Sequence, residues 1–294
     1  MPNTFVISSS YRGPYYLHED ITTSLETLAL RLSIELTECE SHSLLVVQNF
    51  DSEEVLEATA IYLVSAIAQI IEANLQIRKA LFGEAEMSRE LERDVINVIG
   101  EHNVDDEFKK MVRDPWIWES ISHMLIHLSR FDPDFHPSGR VLVKTSIKYD
   151  VHDHGLDVIA IYEASNLGIS AGECKAYFDD PSRGITDASN KLGEIDAGVR
   201  DIEIRSVVNQ LRSALDEDAK EKLSGAFWRD ERSYLPFVCC DSEHACSWTQ
   251  KRQSLNRLAI PVSRKFLFPL SLPEARKMFD AISYIMRSYV SIKE

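Results

Sequence analysis

Residues 154–177 read HGLDVIAIYEASNLGISAGECKAY, and how this stretch divides decides the fold. Two short apolar runs, from Leu156 to Tyr162 and from Leu167 to Tyr177, flank the polar turn Glu163, Ala164, Ser165 and Asn166. That pattern predicts two strands joined as a hairpin. Alternate side chains of a strand share a face, so Glu173 and Lys175 project together with Cα atoms about 7 Å apart, while Gly172, Cys174 and Ala176 turn to the opposite, tightly packed side. Asp157 stands at the start of the first strand. Hairpin pairing carries it to the same end of the sheet as Glu173 and Lys175, which puts two carboxylates and an ammonium where buried strands normally carry no charge.

This grouping suits a hard divalent cation. Mg²⁺ (or Mn²⁺) takes carboxylate and carbonyl oxygens, keeps several waters and is commonly held by one or two protein carboxylates beside a substrate phosphate. Asp157, Glu173 and the carbonyl of Cys174 supply such ligands, and Lys175 is placed to orient or help deprotonate an attacking water. The expected chemistry is phosphodiester hydrolysis. The plainer reading is an ion pair between Glu173 and Lys175 on an exposed face, which the flanking Ala171, Gly172 and Ala176 speak against. A second Glu-x-Lys triplet, Glu107-Phe108-Lys109, lies in a stretch with helical spacing, where residues two apart do not share a face.

Asp157, fifteen intervening residues, then Glu173-Cys174-Lys175 resembles the motif of the PD-(D/E)xK nuclease superfamily, although Leu156 rather than Pro precedes Asp157. The resemblance implies an α/β fold with a restriction-endonuclease-like mixed sheet flanked by helices, and a metal-dependent deoxyribonuclease with catalytic Asp157, Glu173 and Lys175. Within the superfamily the layout is similar to the HamA family, the nuclease subunits of Hachiman antiphage defence systems. The shared features are the length, a helical N-terminal part, His154-Gly155-Leu156-Asp157 leading into an apolar strand, and Gly172-Glu173-Cys174-Lys175 followed by a helix. The resemblance implies a superfamily 2 helicase partner, HamB-like, that restrains the nuclease and engages DNA. A non-catalytic adaptor or DNA-binding subunit of a helicase complex, and a stand-alone restriction endonuclease, are the other readings.

Net charge bears on the partner. At −15 over 294 residues, the chain is repelled by DNA phosphates, so tight binding to free DNA is not expected: either another component supplies the grip, or the charge is a solubility device with a local basic patch hidden in the average. An apolar content of 44% with 27% charged residues is that of a soluble globular protein. Ala58–Ile71, the longest apolar region, reads as too short for a bilayer, the start MPNTFVISSSYRG lacks a signal-peptide pattern, and five irregularly spaced cysteines suit a reducing compartment. A cytoplasmic protein without a membrane segment is the expectation.

Along the chain, Thr4–Ser8 reads as an edge strand, His18–Glu40 as a helix, Leu44–Val47 as a strand, and Val55–Phe82 as one long helix with Asp51, Glu53 and Glu54 at its start. Helices follow over Met87–Ile99 and Asp105–Phe131, the latter broken at Asp114-Pro115. The turn-forming run from Asp132 to Gly139 then changes the period, and the chain divides into a mostly helical, partner-binding region 1–135 and a nuclease domain 136–294. That domain holds strands at Arg140–Lys148, in the hairpin, at Leu235–Cys240, Leu258–Val262 and Phe266–Leu270. Its helices are Ile185–Ala197, Ile202–Ser213 and a last one opening at Pro273.

Several further residues are candidates. Glu119, on the helix before the sheet, and Asn190, Lys191 and Glu194, on the helix after it, are possible auxiliary ligands or phosphate contacts. Lys251, Arg252, Arg257, Arg264 and Lys265 form a basic window with no acid between Glu243 and Glu274, either a nucleic-acid contact or a solvated face. Cys239, Cys240, His244 and Cys246 lie close in sequence, but adjacent strand cysteines face opposite ways and the spacing matches no zinc motif. His152 and His154 read as loop histidines, and Trp116 and Trp118 as packing residues.

Overall fold

Residues 158–176 fold as two antiparallel strands, β4 (Val158–Glu163) and β5 (Leu167–Ala176), in register from Glu163↔Leu167 to Val158↔Gly172. The computed structural model describes residues 17–75, 84–148, 155–223, 227 and 231–291. Around the hairpin lie β1 (Ser33–Glu38), β2 (Ser43–Gln48), β3 (Arg140–Lys144), β6 (Arg232–Asp241) and β7 (Phe266–Leu272), in one seven-stranded sheet of order β1-β2-β7-β6-β5-β4-β3. Pairing is mixed. The central pairs β5/β6, β6/β7 and β7/β2 are parallel, and the pairs β1/β2, β3/β4 and β4/β5 are antiparallel. The class is α/β, and the described residues up to Leu128 are largely helical.

Helices cover both faces. One face carries α1 (Leu17–Arg31), α2 (Glu53–Leu75), α4 (Asp114–Leu128) and the C-terminal α8 (Ala275–Val290), with α3 (Glu84–Ile99) packed on α2 and α8. Their apolar stripes meet the sheet in a core that includes Leu28, Leu63, Leu125, Phe237, Phe268 and Phe279. The other face carries α5 (Pro181–Asp196), α6 (Asp201–Arg212) and α7 (Glu217–Lys222), and its core joins Ile159, Ile169 and Tyr234 of the sheet to Ile185 and Leu192 of α5. Each such side chain fully buried contributes about 1.5–3 kcal/mol, so the stripes of the N-terminal helices are satisfied by the protein's own sheet. β2 also pairs with β7 in parallel, so β1 and β2 share the sheet with strands that follow residue 136.

Several local expectations are corrected. The helix expected over His18–Glu40 stops at Arg31, and Ser33–Glu38 pairs with β2; Leu36 keeps the helical spacing but is 49% exposed on an edge strand. Asp106–Leu128 is not broken at Asp114-Pro115. A wide π turn over Lys109–Arg113 leads straight into α4, where Pro115 lies in the first turn and needs no N–H bond. Leu258–Val262 is no strand: its Ala259 N–H donates to Asp196 Oδ2 at 2.6 Å, while Leu258 and Ile260 bury their side chains in the second core. The last helix starts after Pro273. Glu274 has φ of 50°, and the Ala275 N–H is capped by Asp241 Oδ1 at 2.6 Å.

α2 is longer than its apolar run. Glu53–Ile71 is apolar and long enough to cross a membrane by composition alone, yet 67% of it is buried in the core. Thr4–Ser8, residues 76–82 of the expected long helix, His152 and His154 lie outside the described residues.

Candidate active site

β5 outruns β4, and this difference in length creates the site. The last paired residues are Val158 and Gly172; one step further, Asp157 stands opposite Glu173 on the antiparallel register. With no β4 backbone left to receive it, the Cys174 N–H donates to Asp157 Oδ2 at 2.8 Å. Gly172 is required here, because a Cβ on it would come within 2.8 Å of the Phe237 ring. Asp157 is fixed from both sides of the sheet. The preceding Leu156 N–H donates to Glu203 Oε1 of α6 at 2.7 Å, and His123 Nε2 of α4 bonds the Asp157 carbonyl at 2.9 Å. Burial first, then Lys144 and Lys148, hold the His123 imidazole well below its ordinary pKa, so it is neutral and donates from Nε2.

A third carboxylate approaches from α4. Glu119 lies between Trp116 and His123 at spacings of three and four residues, so one face of the helix presents all three. The Trp116 indole N–H donates to the Lys148 carbonyl at 2.9 Å, which anchors the segment after β3. From there the Lys148 ammonium reaches Asp157 Oδ1 at 2.8 Å and Glu119 Oε1 at 3.4 Å. On β5, Lys175 Nζ donates to Glu173 Oε1 at 2.7 Å. This ion pair is not on an open face, since Glu173 is 4% exposed.

The acids outnumber the bases, and burial raises their pKa values. Desolvation, then the Asp157 charge, pushes Glu119 up to about 8, and the same two causes raise Glu173 to about 7. Burial pulls both lysines down but is outweighed, by Asp157 and Glu119 at Lys148 and by Glu173 at Lys175, so both stay ammonium ions at neutral pH. Lys175 is therefore a proton donor and a positioning charge rather than a base. Glu173 Oε2 is buried without a partner, and Glu119 Oε1 is buried with no hydrogen bond, its neighbour being the Lys148 ammonium at 3.4 Å. An unpartnered carboxylate oxygen beside Asp157 and Glu119 is of the donor type that a hard cation such as Mg²⁺ or Mn²⁺ takes. Among the described residues no group of three His, Cys, Asp or Glu side chains is arranged to hold a metal as it stands. The Lys148 ammonium, in contact with both Asp157 and Glu119, is the cation these carboxylates share.

The other candidates separate. Lys191 pairs with Glu194 at 3.6 Å, and its charge acts on Glu173, whereas Asn190 is exposed on α5. Glu107 is exposed on a helical turn, and Lys109 pairs with Asp280 at 3.2 Å. The basic window does not form one free surface. Lys251 pairs with Glu40, Arg264 with Glu231, Arg252 donates to the Ser247 carbonyl at 2.7 Å, Lys265 is buried, and Arg257 is exposed. Cys239 and Cys240 are buried, and His244 lies 3.4 Å from Glu243. Trp118, at 1% exposure, donates to the Phe237 carbonyl as a packing residue. Sequence reasoning missed Lys148, His123 and the anchoring role of Trp116. The spacing of Trp116, Glu119 and His123 on one helix face was its only available signal.

No protein-family model, curated protein or solved structure matches this chain.

Proposed function

We propose that the protein is a metal-dependent DNA nuclease with a PD-(D/E)xK-type site on a restriction-endonuclease-like sheet. One observation carries this reading: Asp157, Glu173 and Glu119 converge at the overhanging end of β5, with the buried Glu173 Oε2 unpartnered and two lysines alongside. Asp157, Glu173, the Cys174 carbonyl and Glu119 are the groups that would hold Mg²⁺ or Mn²⁺, and a bound ion supplies charge stabilisation at the scissile phosphate. The chain's own residues do the rest. Lys175, protonated and steered by Glu173, orients a water or phosphate oxygen; His123 and Glu203 hold the Asp157 backbone in place.

A second reading has its own support. Without an ion, the Lys148 contacts to Glu119 and Asp157 close a buried ion network, as expected of a non-catalytic adaptor of a helicase complex. Purified protein on plasmid DNA with Mg²⁺, Mn²⁺ or EDTA separates the two. Metal-dependent cleavage is the expected result, and no cleavage with any ion, alone or with its partner, sinks the nuclease reading.

The partner reading rests on the −15 net charge and on the resemblance to defence nucleases, with a helicase that grips DNA and withholds it from the site. Co-expression with a helicase encoded alongside, followed by size-exclusion chromatography, should yield a co-eluting complex whose nuclease activity depends on the helicase engaging DNA. A monomer fully active on duplex DNA at physiological salt and indifferent to the helicase would instead point to a stand-alone endonuclease.

For the basic window, Lys251→Gln, Arg252→Gln and Arg257→Gln together should weaken DNA binding and reduce the slope of log K against log salt by up to about 1 per lost phosphate contact. An unchanged slope would make that face a solvated one, in keeping with the Lys251 and Arg252 contacts within the chain.

A further inference from the structure

A cavity of about 720 Å³ opens on the helical face, between α1, α2, the end of α4 and the segment that follows β3. Its charge is the reverse of the protein's. Lys144 and Arg130 line it together with His127, and no Asp or Glu does so among the described residues. Among the described residues neither cation has a carboxylate partner there, and the Lys144 ammonium lies 3.5 Å from the Thr145 carbonyl. In a chain carrying 47 acidic residues, two like charges beside one cavity without a counter-charge is an unfavourable arrangement that a bound anion relieves. Burial, and then Arg130, pull the Lys144 pKa down to about 8, in line with an ammonium that lacks its counter-ion. Burial lowers the His127 pKa to about 3, which leaves a neutral ring bonded to the Tyr62 hydroxyl at 3.2 Å.

We infer that this cavity binds a phosphate monoester of nucleotide size, with its phosphate on Lys144 and Arg130 and its body against Phe131 and Ile70. A dianionic group takes both cations at once, and Thr22, Gln69, Thr145 and Ser146 add polar atoms around it. Phe131 is 45% exposed, an aromatic surface available to a base or other flat body. The volume lies within the roughly 300–1,000 Å³ of small-molecule sites. Two sources carry the same chemistry, a free mononucleotide and the terminal phosphate of a nucleic-acid strand. The inference does not depend on the metal site being catalytic.

Calorimetric titration of the full chain in EDTA, which keeps metal chemistry out, tests it with four probes: AMP, adenosine, a 5′-phosphorylated thymidine tetranucleotide and its 5′-hydroxyl form. AMP or the phosphorylated tetranucleotide is expected to saturate the protein below about 1 mM and at least tenfold more tightly than its unphosphorylated counterpart. The tighter of the two names the source. Lys144→Gln and Arg130→Gln should each weaken that binding at least tenfold, and Lys277→Gln, on the exposed start of α8, should not. Arg130 is exposed, so its variant decides the matter if Lys144→Gln does not fold. Saturation by neither phosphorylated probe, equal binding of phosphorylated and unphosphorylated forms, or wild-type binding by both folded variants overturns the inference.

Discussion

Glu173→Gln is expected to remove Mg²⁺-dependent cleavage, by about 10²–10³-fold or more, while the protein stays folded. The size of the effect follows from position. Glu173 faces Asp157 beyond the last paired residues of the hairpin, and its Oε2 is buried without a partner, so substitution removes a proposed metal ligand and no structural hydrogen bond from that oxygen. Gln keeps the volume and accepts from Lys175 through its carbonyl oxygen, which limits the structural change. Lys175→Ala should have a comparable effect on cleavage, because the ammonium at 2.7 Å from Glu173 is lost from the reacting region. Glu107→Ala is the control: that acid is exposed on a helical turn and belongs to no strand. Circular dichroism must show all three variants folded. Equal loss of activity in Glu107→Ala and Glu173→Gln would remove the site assignment.

Acid should stabilise the metal-free protein at this site, and a divalent ion should reverse the trend. Glu119 and Glu173 have folded-state values of about 8 and about 7, against an ordinary 4.5, so the folded state holds more protons than the unfolded one from about pH 4.5 to about 8. Their contribution to stability is present below the unfolded value and is lost as pH rises through the folded values. Glu119→Gln, which stays neutral, should accordingly raise the metal-free melting temperature at pH 8.5 by on the order of 5 °C and leave it nearly unchanged at pH 4.5. Mn²⁺ should raise the wild-type melting temperature more at pH 8.5 than at pH 6, because the ion takes the ionised carboxylates and releases their protons. Differential scanning calorimetry at the three pH values checks both. An equal effect of Glu119→Gln at pH 4.5 and 8.5 would mean that the carboxyl does not titrate in this window.

The local rules of the chain determined the parts of this protein that depend on near neighbours. The hairpin at 154–177 was legible because strand alternation and a polar turn act over a few residues, and the pairing of Glu163 with Leu167 follows from the turn itself. The same rules placed Glu173 and Lys175 on one face and gave the helical face of α4 that carries Glu119. They failed where a distant partner decided the outcome. Ser33–Glu38 continues the helical spacing of α1, yet forms a strand because β2 pairs with it, and the Ala259 backbone is taken by the Asp196 carboxylate rather than by a strand. The basic window looked continuous in sequence, and tertiary contacts tied Lys251 to Glu40 and Arg264 to Glu231. Lys148 is the clearest case. Nothing near it in the chain marks it, and only the packing of α4 on the sheet, with Trp116 holding its carbonyl, brings its charge to Asp157 and Glu119. Charge signs and strand faces are properties of the residues; which charges meet is set by the burial of the apolar faces that carry them.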